Sequence, residues 1–306
     1  MEEDFAGYRL YRKCMLCPRE CGVDRTAGQT GACGQTAALY AARAALHFWE
    51  EPCISGSQGS GAVFFSGCAL GCVFCQNSQI SGGSFGREIS IERLCQIFLE
   101  LQEKGANNIN LVTPDHFAPS VARALAQAKA RLKIPVICNC SGYMSQAAFD
   151  LLAPYVDVWL PDFKYFDTDL SAAYSHAPDY FARACQAIAL MARSAGDPVF
   201  DERGMIKRGV IVRHLVLPGH TADSKKVIQY LYETYGDSIY ISIMNQYTPM
   251  PSLDPKKYPR LGRRLTRREY EGVLDYALDL GLQNGFMQEG GTASDSFIPP
   301  FDYEGI

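Results

Sequence analysis

From residue 61 onward, short apolar runs alternate with segments whose apolar residues recur at helical spacing. A helix is expected from about Ser90, a plausible N-cap, to a C-cap at Gly105. The other expected helices cover about 119–131, 179–194, 223–235 and 266–281. The expected strands are 62–66, 109–112, 135–139, 156–160, 209–217 and 239–245. Strands that alternate with helices indicate parallel βαβ units.

The number of these units favours an open barrel. About six units of roughly 38 residues fit between residues 61 and 285, whereas a complete eightfold barrel needs about 250 residues. The predicted fold class is therefore α/β, a partial (β/α)6 TIM-like barrel. In such barrels the chemistry gathers at the C-terminal ends of the strands.

Three cysteines follow the first predicted strand directly. Cys68, Cys72 and Cys75 have the spacing C-x3-C-x2-C. A cubane iron–sulfur cluster usually takes four thiolates, so three would leave one iron open to a chelating ligand. The alternatives are a zinc site or three unrelated core thiols. Zinc motifs usually pair C-x2-C with a second pair, and no second pair follows within 60 residues.

The triad resembles the signature of the radical S-adenosylmethionine (SAM) enzymes. The resemblance implies a [4Fe-4S] cluster on these cysteines, with SAM chelating the open iron and being cleaved reductively to a 5′-deoxyadenosyl radical. That radical would abstract hydrogen from a substrate that the sequence does not identify. Phe74 would pack near the adenine. Gln76-Asn77 looks like the version in activating enzymes of glycyl-radical proteins, so Asn77 is a cofactor-binding candidate.

Two predicted strand ends carry motifs similar to those of the activating enzymes. Asn139 begins a polar stretch that ends in Gly142, and Asp162 and Lys164 form an Asp-x-Lys motif. SAM carries a carboxylate, an ammonium and a sulfonium, so its pocket needs donors and carboxylates at fixed places. Asn139, Asp162 and Lys164 are therefore cofactor-binding candidates, and solvated surface loops are the alternative.

The loop after strand 109–112 contains Thr113, Asp115 and His116. In radical SAM proteins this loop often carries Gly-Gly-Glu, which contacts the methionine amino group. That sequence is absent here, so backbone carbonyls and Thr113 are expected to take its place. Asp115 and His116 are candidates for facing the substrate, and an ordinary surface loop is the alternative.

The last two predicted strands also carry polar residues. Arg213 and His214 interrupt an apolar run, and alternation would turn one of the pair inward. Both are candidates for contacting SAM. Asn245 and Gln246 end the next strand, where Asn245 is a cofactor candidate and Gln246 a substrate candidate.

A second cysteine cluster precedes the barrel. Cys14, Cys17, Cys21 and Cys33 have the spacing C-x2-C-x3-C-x11-C, which fits neither a zinc ribbon nor the bacterial ferredoxin run. We predict a second metal site, either an iron–sulfur cluster or zinc. The predicted domains are an N-terminal metal-binding segment, 1–55, and a radical SAM partial barrel with a C-terminal tail, 56–306.

With this N-terminal module, the chain is similar to uncharacterised homologues of pyruvate formate-lyase activating enzyme. The stretches that carry the similarity are Cys17 to Gly22, the triad, 111–114 and 245–247. True formate-lyase activators lack the N-terminal cysteines. The resemblance therefore supports SAM chemistry more strongly than it supports any particular partner protein.

Bulk properties narrow the partners and the compartment. The chain has 306 residues and a net charge of −4, which gives no basic footprint for nucleic acid. The first residues, Met1 to Phe5, lack the apolar region of a secretory signal, and no apolar stretch reaches membrane-spanning length. Twelve cysteines in such a chain favour metal sites over disulfides and a reducing cytoplasm.

Three functions remain after these exclusions. The first is a radical SAM enzyme with an unidentified substrate, and the second is an activase that installs a glycyl radical on a partner protein. The third is a non-catalytic iron–sulfur or zinc protein. Because a SAM-cleaving cluster needs a low potential, a flavodoxin or ferredoxin electron donor is expected.

Overall fold

The computed structural model describes residues 6–288 and 299–306. The acidic stretch Met1 to Phe5 and part of the predicted C-terminal tail, 289–298, lie outside the described residues. None of the described helices is long and apolar enough to cross a lipid bilayer.

The regular elements follow the predicted alternation. The strands are β1 Tyr40–His47, β2 Ser60–Phe65, β3 Arg87–Glu88, β4 Ile109–Val112, β5 Val136–Cys140, β6 Val158–Pro161, β7 Val199–Phe200, β8 Ile206–Leu215, β9 Tyr240–Met244 and β10 Gly285–Met287. The α-helices are α1 Pro52–Ser55, α2 Ser78–Ser81, α3 Ile91–Glu103, α4 Ala118–Ala128, α5 Gln146–Leu152, α6 Thr168–Ser175, α7 Tyr180–Ala195, α8 Thr221–Tyr235 and α9 Arg267–Asp279. Short 3₁₀ helices lie at Ala6–Tyr11, Arg25–Ala27, Asp115–Phe117, Gly236–Ser238 and Pro259–Gly262.

One sheet runs through the molecule in the order β10-β9-β8-β6-β5-β4-β2-β1-β3, with β7 beside β8. The strands from β2 to β10 along this order pair in parallel. β1 is antiparallel to β2, β3 to β1, and β7 to β8. The prediction of an α/β fold is confirmed, and the mainly parallel sheet is consistent with the predicted partial barrel.

The helix signals in the sequence correspond to real helix ends. The side chain of Ser90 accepts a hydrogen bond from the backbone N–H of Arg93 and caps α3, and Gly105 after its C-terminus has a φ of 86°. Helix α4 ends at Ala128, earlier than the predicted 131. Helices α5 and α6 were not predicted; each begins with a capping side chain, Ser145 and Asp167 respectively.

Strand β1 was also missed, because its sequence Tyr-Ala-Ala-Arg-Ala-Ala-Leu-His is rich in alanine, a helix former. Its strand conformation comes from tertiary partners. Antiparallel pairing with β2 covers one edge, and the backbone N–H of Ala44 donates to the carbonyl of Glu304 at 2.8 Å. Strand propensity depends strongly on such context.

The central strands are buried on both faces. In β6, Trp159 faces the helical layer, whereas Val158 and Leu160 pack with Ile137 and Ile211 in a separate interior cluster. Such strands form near-continuous apolar runs, which is why the sequence showed them clearly. Polar residues appear where these runs end, and they gather along the C-terminal edge of the sheet.

Candidate active site

A cavity of about 190 Å³ opens at the C-terminal ends of the parallel strands. Its walls come from the triad loop, the strand ends and the segment after β1. The predicted site residues that line it are Cys68, Phe74, Cys72, Cys75, Asn77, Thr113, Asn139, Asp162, Lys164, Arg213 and Gln246. The structure therefore brings most of the predicted cofactor residues together.

The triad loop turns tightly between β2 and α2. The backbone N–H of Leu70 donates to Cys68 Sγ at 3.5 Å, and that of Cys75 donates to the carbonyl of Cys72 at 3.1 Å. The Ser175 hydroxyl donates to Cys72 Sγ at 2.9 Å. Burial, followed by the nearby Cys72, raises the pKa of Cys68 to about 12 and that of Cys75 to about 11. Metal binding at these thiols would therefore release protons.

Phe74 lies on the wall beside the triad and is buried. Its ring contacts those of Tyr165 and Tyr247 edge to face, with centroids 6.4 and 6.3 Å apart. Both arrangements are favourable aromatic geometries. Phe74 therefore gives the cavity an apolar surface next to the triad, and the two tyrosine rings support it from behind.

A network of buried charges also lines the cavity. Asp162 accepts from Lys164 Nζ at 2.6 Å and from Arg213 Nε at 3.1 Å. Arg213 also contacts Glu50 Oε2 at 3.1 Å and donates to Asn139 Oδ1 at 2.6 Å. Asp162 and Arg213 are neighbours because their backbones form a parallel bridge just beyond β6 and within β8. Two carboxylates are thus balanced by two cations.

The pKa values reflect this pairing. Burial by itself would raise the pKa of Asp162, but Lys164 and Arg213 hold it below its ordinary value. Burial by itself would lower the pKa values of Lys164 and Arg213. Asp162 outweighs this effect, with help from Glu50 and Glu51 at Arg213, so both pKa values are raised. All three groups are charged at neutral pH, and the cavity wall carries fixed charge.

Two backbone positions shape the strand ends. Gly142 has a φ of 73°, and a Cβ there would lie 2.3 Å from the carbonyl oxygen of Asp162, so this position requires glycine. Thr113 has a φ of 58°, which is strained for a β-branched residue. Its N–H donates to the carbonyl of Asn139 at 2.8 Å. Strained residues cluster at functional sites.

A chain of amides links the triad loop to the end of β9. Gln76 Nε2 donates to the carbonyl of Gln246 at 2.9 Å, and Gln288 Nε2 donates to Gln246 Oε1 at 2.7 Å. Asn245, predicted to contact SAM, is not among the cavity-lining residues; its backbone N–H donates to Gln288 Oε1 at 2.7 Å.

Three other candidates lie away from the cavity within the described chain. His214 is buried, and its Nδ1 donates to the carbonyl of Phe163 at 2.7 Å. Burial lowers the pKa of His214 to about 4, so the ring is neutral. Strand alternation explains this, because it turns Arg213 to the cavity and His214 away from it.

Asp115 and His116, predicted to face the substrate, are both buried behind the strand ends. His116 Nε2 donates to the carbonyl of Ser66 at 2.7 Å. A carboxylate oxygen of Asp115 lies within 4.8 Å of the sulfurs of Cys138 and Cys140, and burial raises its pKa to about 7. The 3₁₀ turn Asp115–Phe117 folds back onto the helical layer, which withdraws both side chains from the cavity.

Sequence reasoning missed the contribution of the end of β1 and of the segment that follows it. His47, Trp49 and Glu50 line the cavity, and Glu50 holds Arg213 and Asn139 in place. Asn110 Nδ2 also donates to Glu50 Oε1 at 2.9 Å. No motif marks Glu50, and finding it would have required recognising β1 as a strand.

The N-terminal cysteines are folded together against the triad loop. Cys14, Cys17 and Cys33 are buried and Cys21 is exposed. Burial raises the pKa of Cys17 to about 12, with Cys33, Cys14 and Cys21 near enough to add to the effect. A Cβ on Gly67, next to Cys68, would lie 2.5 Å from the carbonyl oxygen of Cys33, so the two cysteine regions touch.

Residues 62–231 match the family model of the radical SAM superfamily. The chain belongs to this superfamily, and it is therefore a radical SAM enzyme whose substrate is unknown. Membership implies a [4Fe-4S] cluster and SAM. The cavity suits both groups, because soft thiolate donors and a charged polar wall face the same space.

Two proteins are similar to this chain over most of its length. It is 29% identical over 286 residues to the uncharacterised protein MJ0674 of Methanocaldococcus jannaschii, with 89% of this chain and 77% of that protein aligned. It is also similar to Streptococcus suis SuiB bound to its precursor peptide SuiA, with a TM-score of 0.50 and 14% identity. That alignment covers 74% of this chain, which spans about half (47%) of the SuiB chain, and it shows the fold alone.

A domain of pyruvate-formate lyase-activating enzyme from Bacteroides vulgatus is more distant. The TM-score is 0.38 with 11% identity, over 57% of this chain and 91% of that domain.

Proposed function

We propose that Cys68, Cys72 and Cys75 hold the [4Fe-4S] cluster and that SAM binds in the cavity beside them. The enzyme then abstracts hydrogen from a substrate that is still to be identified. The observation that carries this proposal is the shared cavity, which is lined both by the triad cysteines and by a network of paired charges. A purely structural cluster would need no such polar wall.

The cavity residues suit the parts of SAM. Lys164 and Arg213 offer cationic donors for a carboxylate, while Asp162 and Glu50 offer acceptors for an ammonium. Phe74, which packs against Tyr165 and Tyr247, offers an apolar surface for the adenine. When bound and reduced, the cluster supplies the electron that cleaves SAM to a 5′-deoxyadenosyl radical. The protein's part is binding, orientation and exclusion of water.

The test is an anaerobic assay on the reconstituted full chain. With SAM and dithionite, we expect 5′-deoxyadenosine to form in proportion to the cluster bound, and addition of the right substrate to accelerate it. Chromatography with mass detection measures the product. If a protein with its full complement of iron and sulfide gives no 5′-deoxyadenosine, the proposed function is wrong.

We also propose that the four N-terminal cysteines hold a second metal group, either an iron–sulfur cluster or zinc. The support is that Cys14, Cys17 and Cys33 are all buried, and that Cys33, Cys14 and Cys21 lie near enough to Cys17 to help raise its pKa. Four thiolates can complete the coordination of either group.

The metal content of a protein that lacks the triad cysteines reports on this second site alone. A Cys68→Ala/Cys72→Ala/Cys75→Ala variant, reconstituted anaerobically, should retain bound metal. Iron and sulfide at about four equivalents each per chain would indicate an iron–sulfur cluster. About one equivalent of zinc would instead indicate a structural zinc site. Complete absence of metal, in a protein whose circular dichroism matches the parent, would contradict the second site.

A protein substrate, as in a glycyl-radical activase, is the second candidate. The observation that favours it is a pair of aromatic side chains on the segment after β1, where Phe48 is 49% and Trp49 is 52% exposed. Trp49 also lines the cavity, and exposed aromatics of this kind are common in protein-binding surfaces. Deuterium transfer from a labelled partner polypeptide into 5′-deoxyadenosine would distinguish an activase from a small-molecule enzyme. The flavodoxin or ferredoxin donor stays a prediction.

A further inference from the structure

Arg19 belongs to the N-terminal cysteine module, yet its guanidinium group reaches the surroundings of the triad. Nε donates to the backbone carbonyl of Ala69 at 2.8 Å. Nη2 donates to the backbone carbonyls of Leu70 at 3.3 Å and Ser175 at 2.9 Å. Nη1 donates to the carbonyl of His176. One side chain therefore holds four backbone carbonyls from two separate parts of the chain.

Those carbonyls belong to the two segments that define the position of Cys72. Ala69 and Leu70 lie between Cys68 and Cys72 in the triad loop. Ser175 ends α6, and its hydroxyl donates to Cys72 Sγ at 2.9 Å. The last carbonyls of a helix have no partner within the helix, and a cation there is favourable. Arg19 thus fixes the triad loop against α6 at the point where Cys72 is held.

The module touches the triad loop at a second point. The carbonyl of Cys33 lies so close to Gly67 that a Cβ on Gly67 would be 2.5 Å from it. Beside this contact, Gln35 Nε2 donates to the carbonyl of Gly83 at 2.8 Å. Cys17 also packs in the same apolar cluster as Ala69 and Leu70. A change in the fold of the module would therefore shift the residues around Cys68.

The module has little regular structure of its own. Apart from the 3₁₀ turn Arg25–Ala27, the described chain has neither helix nor strand between Arg12 and Leu39. A segment of this kind depends on cross-links, and a metal bound by four cysteines supplies folding free energy to it. The position of Arg19, which lies between Cys17 and Cys21, depends on that fold.

We propose that metal binding at the N-terminal cysteines positions the triad loop through Arg19, so that the triad keeps its cluster only when the module is folded. The inference rests on the cluster assignment of the proposed function and makes Arg19 a positioning residue. Lysine is expected to replace arginine only in part here, because an ammonium group lacks the planar fork that reaches several carbonyls at once.

The experiment compares Arg19→Ala, Arg19→Lys and Cys17→Ser with the parent protein, and uses Arg9→Ala as a control. Arg9 is an exposed arginine in the adjoining 3₁₀ helix. Each full-length protein is reconstituted anaerobically and then challenged with an iron chelator. Iron and sulfide are counted over time, and the SAM-induced change in the electron paramagnetic resonance spectrum reports the triad cluster alone.

We expect Arg19→Ala to lose the SAM-responsive cluster roughly tenfold faster than the parent, the effect of one charge-assisted hydrogen bond or more. Cys17→Ser should lose it at a similar rate, Arg19→Lys at an intermediate rate, and Arg9→Ala at the parental rate. Thermal unfolding of each variant separates cluster loss from a global failure to fold, and Arg19→Lys keeps the comparison informative if Arg19→Ala is unstable.

Two results would overturn the coupling. One is a Cys17→Ser protein that has lost its N-terminal metal and retains the triad cluster at the parental rate. The other is parental cluster retention in Arg19→Ala. Failure of the proposed function is recognised separately, because the parent protein itself would then show no SAM-responsive signal.

Discussion

Replacing Cys72 by alanine should abolish SAM cleavage while leaving the fold intact. Cys72 is one of three triad thiols, so its loss leaves the cluster two protein ligands. The side chain lies in the triad loop, outside every strand and helix of the described chain, so its loss removes the hydrogen bond from Ser175 but breaks no regular element. We expect 5′-deoxyadenosine to fall to the level of the protein-free reaction, with circular dichroism and thermal unfolding near those of the parent.

Cys185→Ala is the matched control. Cys185 is a partly buried thiol on α7, and it is not among the cavity-lining residues. That variant should cleave SAM at the parental rate. If Cys72→Ala still produced 5′-deoxyadenosine under dithionite, the assignment of Cys72 as a cluster ligand would be wrong.

Replacing Lys164 by alanine should weaken SAM binding by roughly ten- to a hundred-fold, since a hydrogen bond to a charged group contributes about 1.5–3 kcal/mol. The cluster's visible absorption should be unchanged, because Lys164 is not a ligand. Equilibrium binding of SAM to the reconstituted protein measures the effect. Lys207→Ala is the control, since Lys207 pairs with Asp201 at 3.3 Å outside the cavity lining.

Asp162→Asn tests the other half of the same pair. The amide keeps the shape of the side chain but removes the charge that Lys164 and Arg213 share. Both cations would lose their common partner and adopt new orientations, so turnover should fall while the cluster is retained. SAM affinity equal to the parent's in both Lys164→Ala and Asp162→Asn would mean that neither residue contacts SAM.

Local patterns predicted the parts of the fold that depend on local physics. The central parallel strands are buried on both faces, and their apolar runs predicted them within a few residues, whereas the short, partly exposed β10 was not predicted. Ser90 and Gly105 marked the ends of α3 because capping is a local interaction. Strand β1 could not be predicted, because its alanine-rich sequence is held in an extended conformation by pairing with β2 and with C-terminal residues.

The residues of the candidate site also divide into those that local sequence predicted and those that depend on distant contacts. The triad, Asp162 and Lys164 could be found because they are close in sequence and follow strands directly. Glu50 could not, because its role arises from contact with Arg213, 163 residues away. Asp115 and His116 looked well placed at a strand end, but a turn that no spacing revealed directs them into the helical layer.

Strand β1 also affects whether copies of the protein pair through their sheet edges. It covers the edge of β2, the first of the parallel strands, so the backbone donors and acceptors of that strand are already paired. A form shortened to begin after His47 would expose that row of groups on a buried, apolar strand. Bare edges of this kind recruit strands from other chains. Strand β1 thus also protects the sheet against self-association.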